Sequence, residues 1–447
     1  MKYRYREDIE MKDSGIEWIG KIPKDWEVKK NKYMISEINL RNSYNNENLL
    51  SVSEYYGVAL RKDKMSEDEF LTRAESLEGY KICKKDDLVM NIMLAWKKAM
   101  GVSEYDGIVS PAYCIYRKKD DIFMKYYHYL FRTDLYAKVF KQNSTGIIDS
   151  RLRLYPEKFL GLYSHRPNLE NQEKIAKFLD KKTSQFDHII SKKEDLIQKL
   201  GEAKQSFISE IVTGKVKVVK TDDGYELVNR HGGEMKDSGV EWLGEIPKEW
   251  KISKIKYNCD INKLTLREDT EDDYEIKYID IGSVNSDGEI EDMQLFKFKD
   301  APSRARRIIK DRDILISTVR TYLKAITSID KIEDNIICST GFAVLTPMES
   351  LDYKFLSYFV RGNLFIDEIV SRSKGVSYPS ITPGEIGNLE IILPGKLEQA
   401  IIGEFISIKI NYTNNIIKKI KREIEKLKEA KQSLISETVT GKIEILD

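Results

Sequence analysis

The sequence has 447 residues, of which 41% are hydrophobic and 33% are charged. This length suits two to four domains, and the hydrophobic fraction is sufficient for packed cores, which excludes a wholly disordered chain. The 74 basic and 73 acidic residues give a net charge of +1, which decides nothing about nucleic-acid binding, because such binding needs a basic face and not a basic average.

The chain begins with MKYRYREDIE, a charged stretch without the apolar core of a signal peptide. No run approaches the roughly 18 apolar residues of a membrane-spanning helix. The four cysteines and four histidines are widely spaced and form no CxxC pair or other zinc-ligand pattern. We therefore expect a cytoplasmic protein with reduced, buried thiols and no metal site.

An internal repeat organises the whole chain. Residues 11–34 return as residues 235–258 with 15 of 24 positions identical, and residues 202–218 return as residues 429–445 with 12 of 17 identical. The offsets of 224 and 227 mean that each copy occupies about half of the chain. We call residues 11–34 and 235–258 the start segments, and we expect their tryptophans to pack in the core.

Between these matching ends the two copies diverge, yet a skeleton of similar residues persists. Asp87 corresponds to Asp313, and Arg132 corresponds to Arg361. Two domains that share a scaffold and differ in their surfaces indicate the same task on two different targets.

Each copy ends in a proline-free stretch with apolar residues at alternating steps of four and three, which predicts a coiled-coil helix. Each helix has about 40 residues, or roughly 60 Å at 1.5 Å per residue. Gly214 and Gly441 lie at the expected C-terminal caps. The apolar members of the predicted seam are Ile175, Leu179, Phe186, Ile189, Leu196, Leu200, Ala203 and Phe207 in the first helix, and Ile402, Ile406, Ile416, Ile420, Leu427, Ala430 and Leu434 in the second.

The two helices are expected to pair with each other. Antiparallel pairing is favoured because it relates the halves by a two-fold axis and puts the domains at opposite ends of a rod, with Glu423 near Lys193 in the seam. Parallel pairing, with the domains side by side, and two separate helices packed on their own domains remain alternatives. The globular regions mix short apolar runs, such as Asp313–Val319, with helical stretches and predict an α+β fold. Residues 216–234 carry turn residues and predict a linker.

Catalytic motifs are absent from the sequence. There is no GxxxxGK[ST] phosphate loop, because the Gly-Lys pairs at 214 and 441 are followed by Val and Ile. GxGxxG, HExxH, GxSxG and the Asn-Pro-Pro-aromatic sequence of amino-methyltransferases are also missing. A repeated scaffold without a repeated catalytic constellation indicates binding and not catalysis.

Basic and polar residues in both copies are candidates for DNA contacts. Residues 303–324 hold seven Arg or Lys against two Asp. Residues 141–146 and 371–375 are polar loops that align at their glycines. Such residues bind phosphates or base edges in DNA-reading proteins, and an ordinary solvated surface is the alternative for each of them. The candidates are Lys97, Lys98, Gln142, Asn143, Arg151, Arg153, Arg304, Arg306, Arg307, Arg320, Arg372 and Lys374. Of these, Arg304, Arg306, Arg307 and Arg320 are predicted to form one basic face.

The repeated Gly-Ile-Glu-Trp-Ile-Gly-x-Ile-Pro-x-x-Trp, at 15–26 and with small changes at 239–250, resembles the start of each target-recognition domain in specificity subunits of type I restriction-modification systems. So does the run from Pro167 through Gln172 to Asp180, followed by a long helix that ends in Val-Thr-Gly-Lys. The second copy keeps Pro394 and Gln399 but has Ile-Ser where the first has Leu-Asp. The resemblance covers essentially the whole chain.

This resemblance implies a domain plan and a set of partners. The plan is target-recognition domain 1 at 1–165, a helix at 166–215, a linker at 216–234, target-recognition domain 2 at 235–393 and a helix at 394–447. Each recognition domain would read one half of a split double-stranded DNA site, and the helices would set the gap and dock two methyltransferase subunits, which restriction subunits join. S-adenosylmethionine, ATP and Mg²⁺ would belong to those partners, with no cofactor and no catalysis in this chain. A coiled-coil scaffold for protein partners without DNA contact is the alternative.

Overall fold

The computed structural model describes residues 2–42, 48–63, 77–330 and 334–446. It divides into two compact units, which we call unit 1 (residues 1–193 and 421–447) and unit 2 (residues 194–420). Both units mix helices and strands, which confirms the predicted α+β class. Both unit boundaries fall inside long helices, Leu169–Val212 and Lys396–Val439, which we call the first and second long helices.

Unit 1 is built around an antiparallel four-stranded sheet. Its strand order is Met100–Val102, Leu88–Asn91, Tyr113–Lys118 and Ile35–Ile38. Three short helices follow the sheet: Met124–Phe131, Asp134–Gln142 and Pro156–Gly161. The remaining strands pair in twos: Tyr3–Tyr5 with Ile443–Ile445, Met11–Asp13 with Lys21–Pro23, Glu27–Lys30 with Tyr163–Arg166, Leu50–Ser53 with Gly57–Leu60, and Lys81–Cys83 with Gly107–Val109.

Unit 2 repeats this plan. Its matching sheet has the order Ile326–Ser328, Ile314–Ser317, Phe342–Pro347 and Cys259–Ile261. The helices Tyr353–Val360, Asn363–Arg372 and Pro383–Asn388 correspond to the three of unit 1. A second sheet contains Gln294–Lys297, Glu275–Ile279, Ile336–Ser339 and Ala305–Ile308, and the remaining pairs are Val216–Thr221 with Gly224–Asn229, Met235–Asp237 with Glu245–Pro247, and Lys251–Lys254 with Glu390–Leu393.

The end of each long helix packs into a core next to a start segment. Ile435 and Val439 join the core of unit 1, which also contains Trp26. Ile208 and Val212 join the core of unit 2 beside Trp250. Both tryptophans are 1% exposed, as the prediction that they pack requires.

Gly441, which follows the second long helix, shows why this junction needs glycine. Its φ of 82° is in the left-handed region, and a Cβ atom there would lie 2.5 Å from Pro23 Cγ. Both conditions exclude a side chain, so the start segment and the helix cap fit together only through glycine.

The two helices run antiparallel within each unit, as predicted. In unit 1, Lys431 Nζ lies 2.6 Å from Asp187 Oδ1, and Lys193 Nζ lies 2.6 Å from Glu423 Oε2. In unit 2, the rings of Phe207 and Phe405 are 5.8 Å apart. The predicted proximity of Glu423 to Lys193 is therefore confirmed.

Part of the predicted seam is wrong by one residue. Ile189 is 44% exposed and Leu196 is 45% exposed, and Ala203 and Ala430 are exposed as well. Their following neighbours turn inward, with Ile190 8% and Lys204 7% exposed. The other predicted positions are buried or half-buried. From Phe186 onward, the inward-facing residues of the first long helix are spaced by four and then three residues, whereas the prediction spaced them by three and then four. Adjacent apolar pairs in this helix fit either spacing, so the sequence pattern did not decide between them.

The predicted linker forms a hairpin in unit 2, with Val216–Thr221 paired to Gly224–Asn229. Unit 1 contains the same two strands without the connecting turn. There, Tyr3 pairs with Ile445 and Tyr5 with Ile443 in the register of the hairpin. The two ends of the described chain therefore lie side by side where unit 2 has a continuous turn.

Candidate nucleic-acid interface

A basic turn follows the same central strand in each unit. In unit 1 the turn Ala95–Lys97 ends at Lys98, whose φ is 67°. In unit 2 the turn Thr321–Leu323 ends at Lys324, whose φ is 57°. A side chain in the left-handed region costs roughly 1–2 kcal/mol, and such strained residues gather at functional sites. Both units thus present a lysine from a strained turn at the same place in the fold.

A second feature, a loop after the second short helix, lies next to each turn. We call residues 143–153 and 373–381 the tip loops. Each is closed by one antiparallel bridge, between Thr145 and Arg153 in unit 1 and between Lys374 and Ser380 in unit 2. Gly375 has a φ of 109°, which explains why a glycine lies in this loop.

Turn and tip loop form one surface in unit 2. The Arg320 guanidinium lies 4.5 Å from the ring centroid of Tyr378, and Arg320 N donates to Pro379 O at 2.7 Å. The hydroxyls of Thr321 and Ser373 are 2.8 Å apart. Arg320 itself has a φ of 51°, so backbone strain and ring stacking together hold its side chain at the surface.

Unit 1 builds the corresponding surface around Trp96. Lys141 Nζ lies 4.7 Å and Lys97 Nζ 5.2 Å from its ring. Leu154, just after the tip loop, donates from its backbone N to Ile92 O at 2.9 Å. Cations on an aromatic face beside a loop resemble the combination of charge and stacking with which proteins bind nucleic acid.

The half-buried side chain of Arg132 holds the unit 1 turn in place. Arg132 Nη1 donates to Lys98 O at 2.9 Å and to Met100 O at 2.7 Å, and Nη2 donates to Glu54 O at 3.0 Å. Burial lowers the pKa of this guanidinium to about 10, so it is still charged at neutral pH. Comparison of the two copies showed only that Arg132 corresponds to Arg361. Its contacts in the structure indicate that Arg132 positions the backbone of Lys98.

The sequence-predicted residues divide by exposure. The exposed members are Lys97, Gln142, Arg151, Arg153, Arg304, Arg320, Arg372 and Lys374, and the half-buried members are Lys98, Asn143, Arg306 and Arg307. All four half-buried residues already have partners; Lys98 Nζ lies 2.7 Å from Asp134 Oδ1, and Asn143 Nδ2 donates to Val139 O at 2.9 Å. Among the exposed members, Arg372 pairs with Glu368 at 2.5 Å, and the contact of the exposed members with DNA stays a prediction.

The predicted four-arginine face is divided in the structure. Arg306 stacks at 4.8 Å on the ring of Phe298, and Arg307 Nη1 donates to Thr265 Oγ1 at 3.0 Å. These two guanidinium groups are therefore engaged within unit 2. A β-bulge between Ala305 and Arg307 also interrupts the pairing of their strand with Ile336–Ser339. Only Arg304 and Arg320 of the four are exposed.

Apolar side chains at the tips of the loops were missed in the sequence. Ile147 is 100% and Val376 102% exposed, with Ile148 and Tyr378 also exposed beside them. Exposed apolar residues between basic ones are the arrangement with which several DNA-binding proteins wedge between base steps. The available signal was an apolar residue directly after the loop glycine in both copies.

The described residues contain no group of three or more His, Cys, Asp or Glu arranged to hold a metal ion. All four cysteines are buried and free, and burial raises the pKa of Cys83 to about 12. None of the helices in the described part of the chain has the length and apolarity needed to cross a membrane.

Known proteins share sequence with this chain. Residues 247–426 match the family model described as the type I restriction modification DNA specificity domain. The chain is similar to the type I restriction enzyme MjaVIII specificity subunit of Methanocaldococcus jannaschii, at 24% identity over 285 residues, which are 62% of this chain and 61% of that protein. It is also similar to the type I restriction enzyme HindI specificity subunit of Haemophilus influenzae, at 26% identity over 117 residues and 26% of each chain. Both relatives are thus matched over less than two thirds of their length.

The fold is shared more widely than the sequence. A chain solved in a structural study of complex assembly and conformational transition of the type I restriction-modification system superposes with a TM-score of 0.64 at 14% identity. The superposition covers 94% of this chain and 98% of that chain. Both units therefore take part in the shared architecture.

Proposed function

We propose that this chain, whose residues 247–426 match the type I restriction modification DNA specificity domain, is the sequence-specificity subunit of a type I restriction-modification system. The observation that carries the proposal is the repeated surface of basic turn and tip loop, present in both units with different side chains. One unit reads one half of a split DNA site, and the other unit reads the other half. The match to a DNA specificity domain argues against the alternative of a scaffold without DNA contact.

In this proposal the chain recognises DNA and its partners act on it. Two methyltransferase subunits dock on the chain, and restriction subunits join through them, bringing S-adenosylmethionine, ATP and Mg²⁺. The chain alone transfers no methyl group and cleaves no DNA, and it works in the cytoplasm, where the DNA is. Incorporation of labelled methyl groups by the purified chain alone would contradict this division of labour.

The experiment that tests half-site reading is an exchange of residues 20–165 for the equivalent region of a relative. The chimera is co-expressed with the methyltransferase partner, and methylated bases are mapped by sequencing genomic DNA. We expect one half-site to change and the other to remain. A change in both half-sites would show that the units do not read independently.

Arg320 offers a sharper test at one residue, because Arg312 is a matched control. Both have positive φ values, 51° and 69°, and both stack on a tyrosine, but they flank opposite ends of the strand Ile314–Ser317. We expect Arg320→Ala to weaken DNA binding by the assembled methyltransferase complex and Arg312→Ala to leave it unchanged.

The salt dependence of binding then identifies the kind of contact. Loss of a phosphate contact lowers the slope of log K against log salt by about 0.9, whereas loss of a base contact relaxes one position by roughly 1–3 kcal/mol. Equal effects of Arg320→Ala and Arg312→Ala would remove this surface as the DNA-binding site.

A further inference from the structure

A carboxylate bridges an arginine and a tryptophan where the second long helix begins in unit 2. Trp250 Nε1 donates to Glu398 Oε2 at 3.0 Å, and Arg230 Nη2 donates to Glu398 Oε1 at 2.8 Å. Trp250 is 1% exposed, so its indole N–H needs this acceptor. The carboxylate also lies in the first turn of a helix, where the helix dipole favours negative charge.

Unit 1 has the same arginine and tryptophan but lacks the carboxylate. The repeat places Arg6 at the position of Arg230, Trp26 at that of Trp250 and Asn171 at that of Glu398. Trp26 is 1% exposed, and its Nε1 is buried without a hydrogen-bond partner among the described residues. Asn171 leaves the indole unsatisfied because its Nδ2 faces Asp25 Oδ2 at 3.4 Å. An unpaired buried donor of this kind is destabilising.

A cavity of about 380 Å³ lies beside these three residues of unit 1. Trp26, Asn171, Arg6 and Lys174 line it, and Lys174 takes the place of the uncharged Ile401 of unit 2. Two of its acidic residues are already compensated, because Arg4 lies 2.5 Å from both Glu10 and Glu444. The third, Asp25, faces the amide of Asn171.

Arg6 is placed to join the ligand. Its Nη1 now donates to Gly441 O at 2.9 Å, and its Nη2 lies 3.5 Å from Glu444 Oε1, a longer contact than Arg230 makes with Glu398. The cavity thus combines an unsatisfied donor, a cation at its rim and a helix N-terminus.

We propose that this cavity of unit 1 binds the carboxylate group of a small organic acid, which accepts a hydrogen bond from Trp26 Nε1 and pairs with Arg6 as Glu398 pairs with Arg230. The site is independent of DNA reading. Because unit 2 carries its carboxylate on the chain, only unit 1 responds to the ligand, and the acid ties the start segment to the first long helix.

The test follows the indole N–H signals of the ¹⁵N-labelled full chain by NMR during titration with sodium acetate at constant ionic strength. The Trp26 signal is assigned with Trp26→Phe. We expect it to shift downfield and saturate, while the signals of Trp250 and Trp242 stay in place. Trp242 is an internal control, because its Nε1 is also buried without a partner among the described residues but does not line the cavity. No shift of Trp26, or the same shift with sodium chloride, would overturn the proposal.

Two reciprocal substitutions complete the test. Asn171→Glu supplies the carboxylate internally, so the Trp26 signal starts at its shifted position and acetate affinity falls at least tenfold. Glu398→Asn opens the matching site in unit 2, so the Trp250 signal begins to titrate. An acetate response of Trp26 that survives Asn171→Glu would place the binding elsewhere and refute the proposal, even if Glu398→Asn fails to fold.

A final experiment distinguishes between two sources of the carboxylate, a free organic acid and a side chain of a partner subunit. The same spectra are recorded for the complex with methyltransferase subunits in acetate-free buffer. An unshifted Trp26 signal that still titrates with acetate supports a free acid. A signal already shifted, and no longer responsive to acetate, would refute the free acid and assign the carboxylate to the partner.

Discussion

A chain that stops after Lys215 tests how the two halves complete each other. It retains residues 1–193 of unit 1 but lacks residues 421–446, which supply Ile435, Val439 and Ile443 to that unit. These side chains are 8%, 0% and 1% exposed. Val439 O also accepts a hydrogen bond from the buried Tyr126 hydroxyl at 2.7 Å.

The size of the loss follows from burial. Exposure of a buried aliphatic side chain costs roughly 1.5–3 kcal/mol, so three cost about 5–9 kcal/mol. A domain has about 5–15 kcal/mol of stability in total. We therefore expect the truncated chain to be unstable as a monomer.

A second truncated chain restores most of what is missing, because the repeat offers the same residues. Ile208 and Val212 match Ile435 and Val439 without change, whereas Val216, the counterpart of Ile443, lies beyond the truncation, so the contribution of Ile443, roughly 1.5–3 kcal/mol, is not replaced. An antiparallel pair of identical helices closes with two-fold symmetry. The truncated chain should form a homodimer that directs methylation of an inverted repeat.

Light scattering across a dilution series measures the mass, and sequencing of methylated DNA after co-expression with the methyltransferase partner gives the site. Ile208→Asp should abolish the dimer, because Ile208 is 0% exposed. Leu196→Asp is the matched control: Leu196 is 45% exposed and stands where the second helix has Glu423, the partner of Lys193. A stable monomer, a dimer that withstands Ile208→Asp, or methylation of the original asymmetric site would refute the pairing.

Three further predictions concern stability, each measured by urea denaturation. Gly441→Ala should lower the free energy of unfolding by about 2–5 kcal/mol, because the alanine is strained in the left-handed region and also clashes with its neighbours. Gly20 has a φ of 68° but open space around it, so Gly20→Ala should lower this free energy by only about 1–2 kcal/mol. Equal losses in the two variants would show that no clash contributes. Arg132→Lys should destabilise unit 1 and weaken DNA binding, since each orphaned carbonyl costs roughly 1–3 kcal/mol, and unchanged binding would contradict its positioning role. Burial lowers the pKa of His128 to about 3 and that of His165 to about 4, so between these values and pH 6.5 only the unfolded chain takes up a proton at each histidine. The free energy of unfolding should therefore fall by about 2 kcal/mol for each histidine at pH 5. If replacing both histidines with Gln left the dependence of this free energy on pH unchanged, the reasoning would be wrong.

Sequence patterns predicted the architecture because the repeat and the helical periodicity each extend over many residues. The α+β class, the antiparallel direction and the proximity of Lys193 to Glu423 all followed from them. The predicted seam was wrong at four of its 15 apolar positions. At Ile189 the reason is that Ile190 is equally apolar, so only packing decides which of the two turns inward. The inward turn of Lys204 was hidden for another reason: its Nζ lies 2.5 Å from Asp287, a residue 83 positions away in the sequence.

The sequence predicted which types of residue form the candidate interface and in which regions, but it did not predict how their side chains are arranged. Basic residues and loop glycines marked the correct regions, but sequence spacing placed Arg306 and Arg307 on one face, whereas their contacts separate them. The tip residues Ile147 and Val376 carry no charge, so a search for basic residues passed over them. Contacts of Arg320 with the tip loop depend on long-range chain folding, which local patterns do not contain.

Unit 1 is formed from two separate stretches of the chain, which affects how it folds during synthesis on the ribosome. Unit 2 is one continuous stretch and can fold once its 227 residues, 194 through 420, have emerged. Unit 1 appears first but must wait for residues 421–446, which are complete roughly 13–50 s later at 5–20 residues per second. During this interval its docking groove for Ile435 and Val439 is open, and the near-identical end of the first long helix is the nearest available occupant. Unit 2 is thus completed before unit 1, although the synthesis of unit 1 begins first. A nascent chain that stalls between these two points is the one most able to pair with a nascent chain on a neighbouring ribosome of the same mRNA.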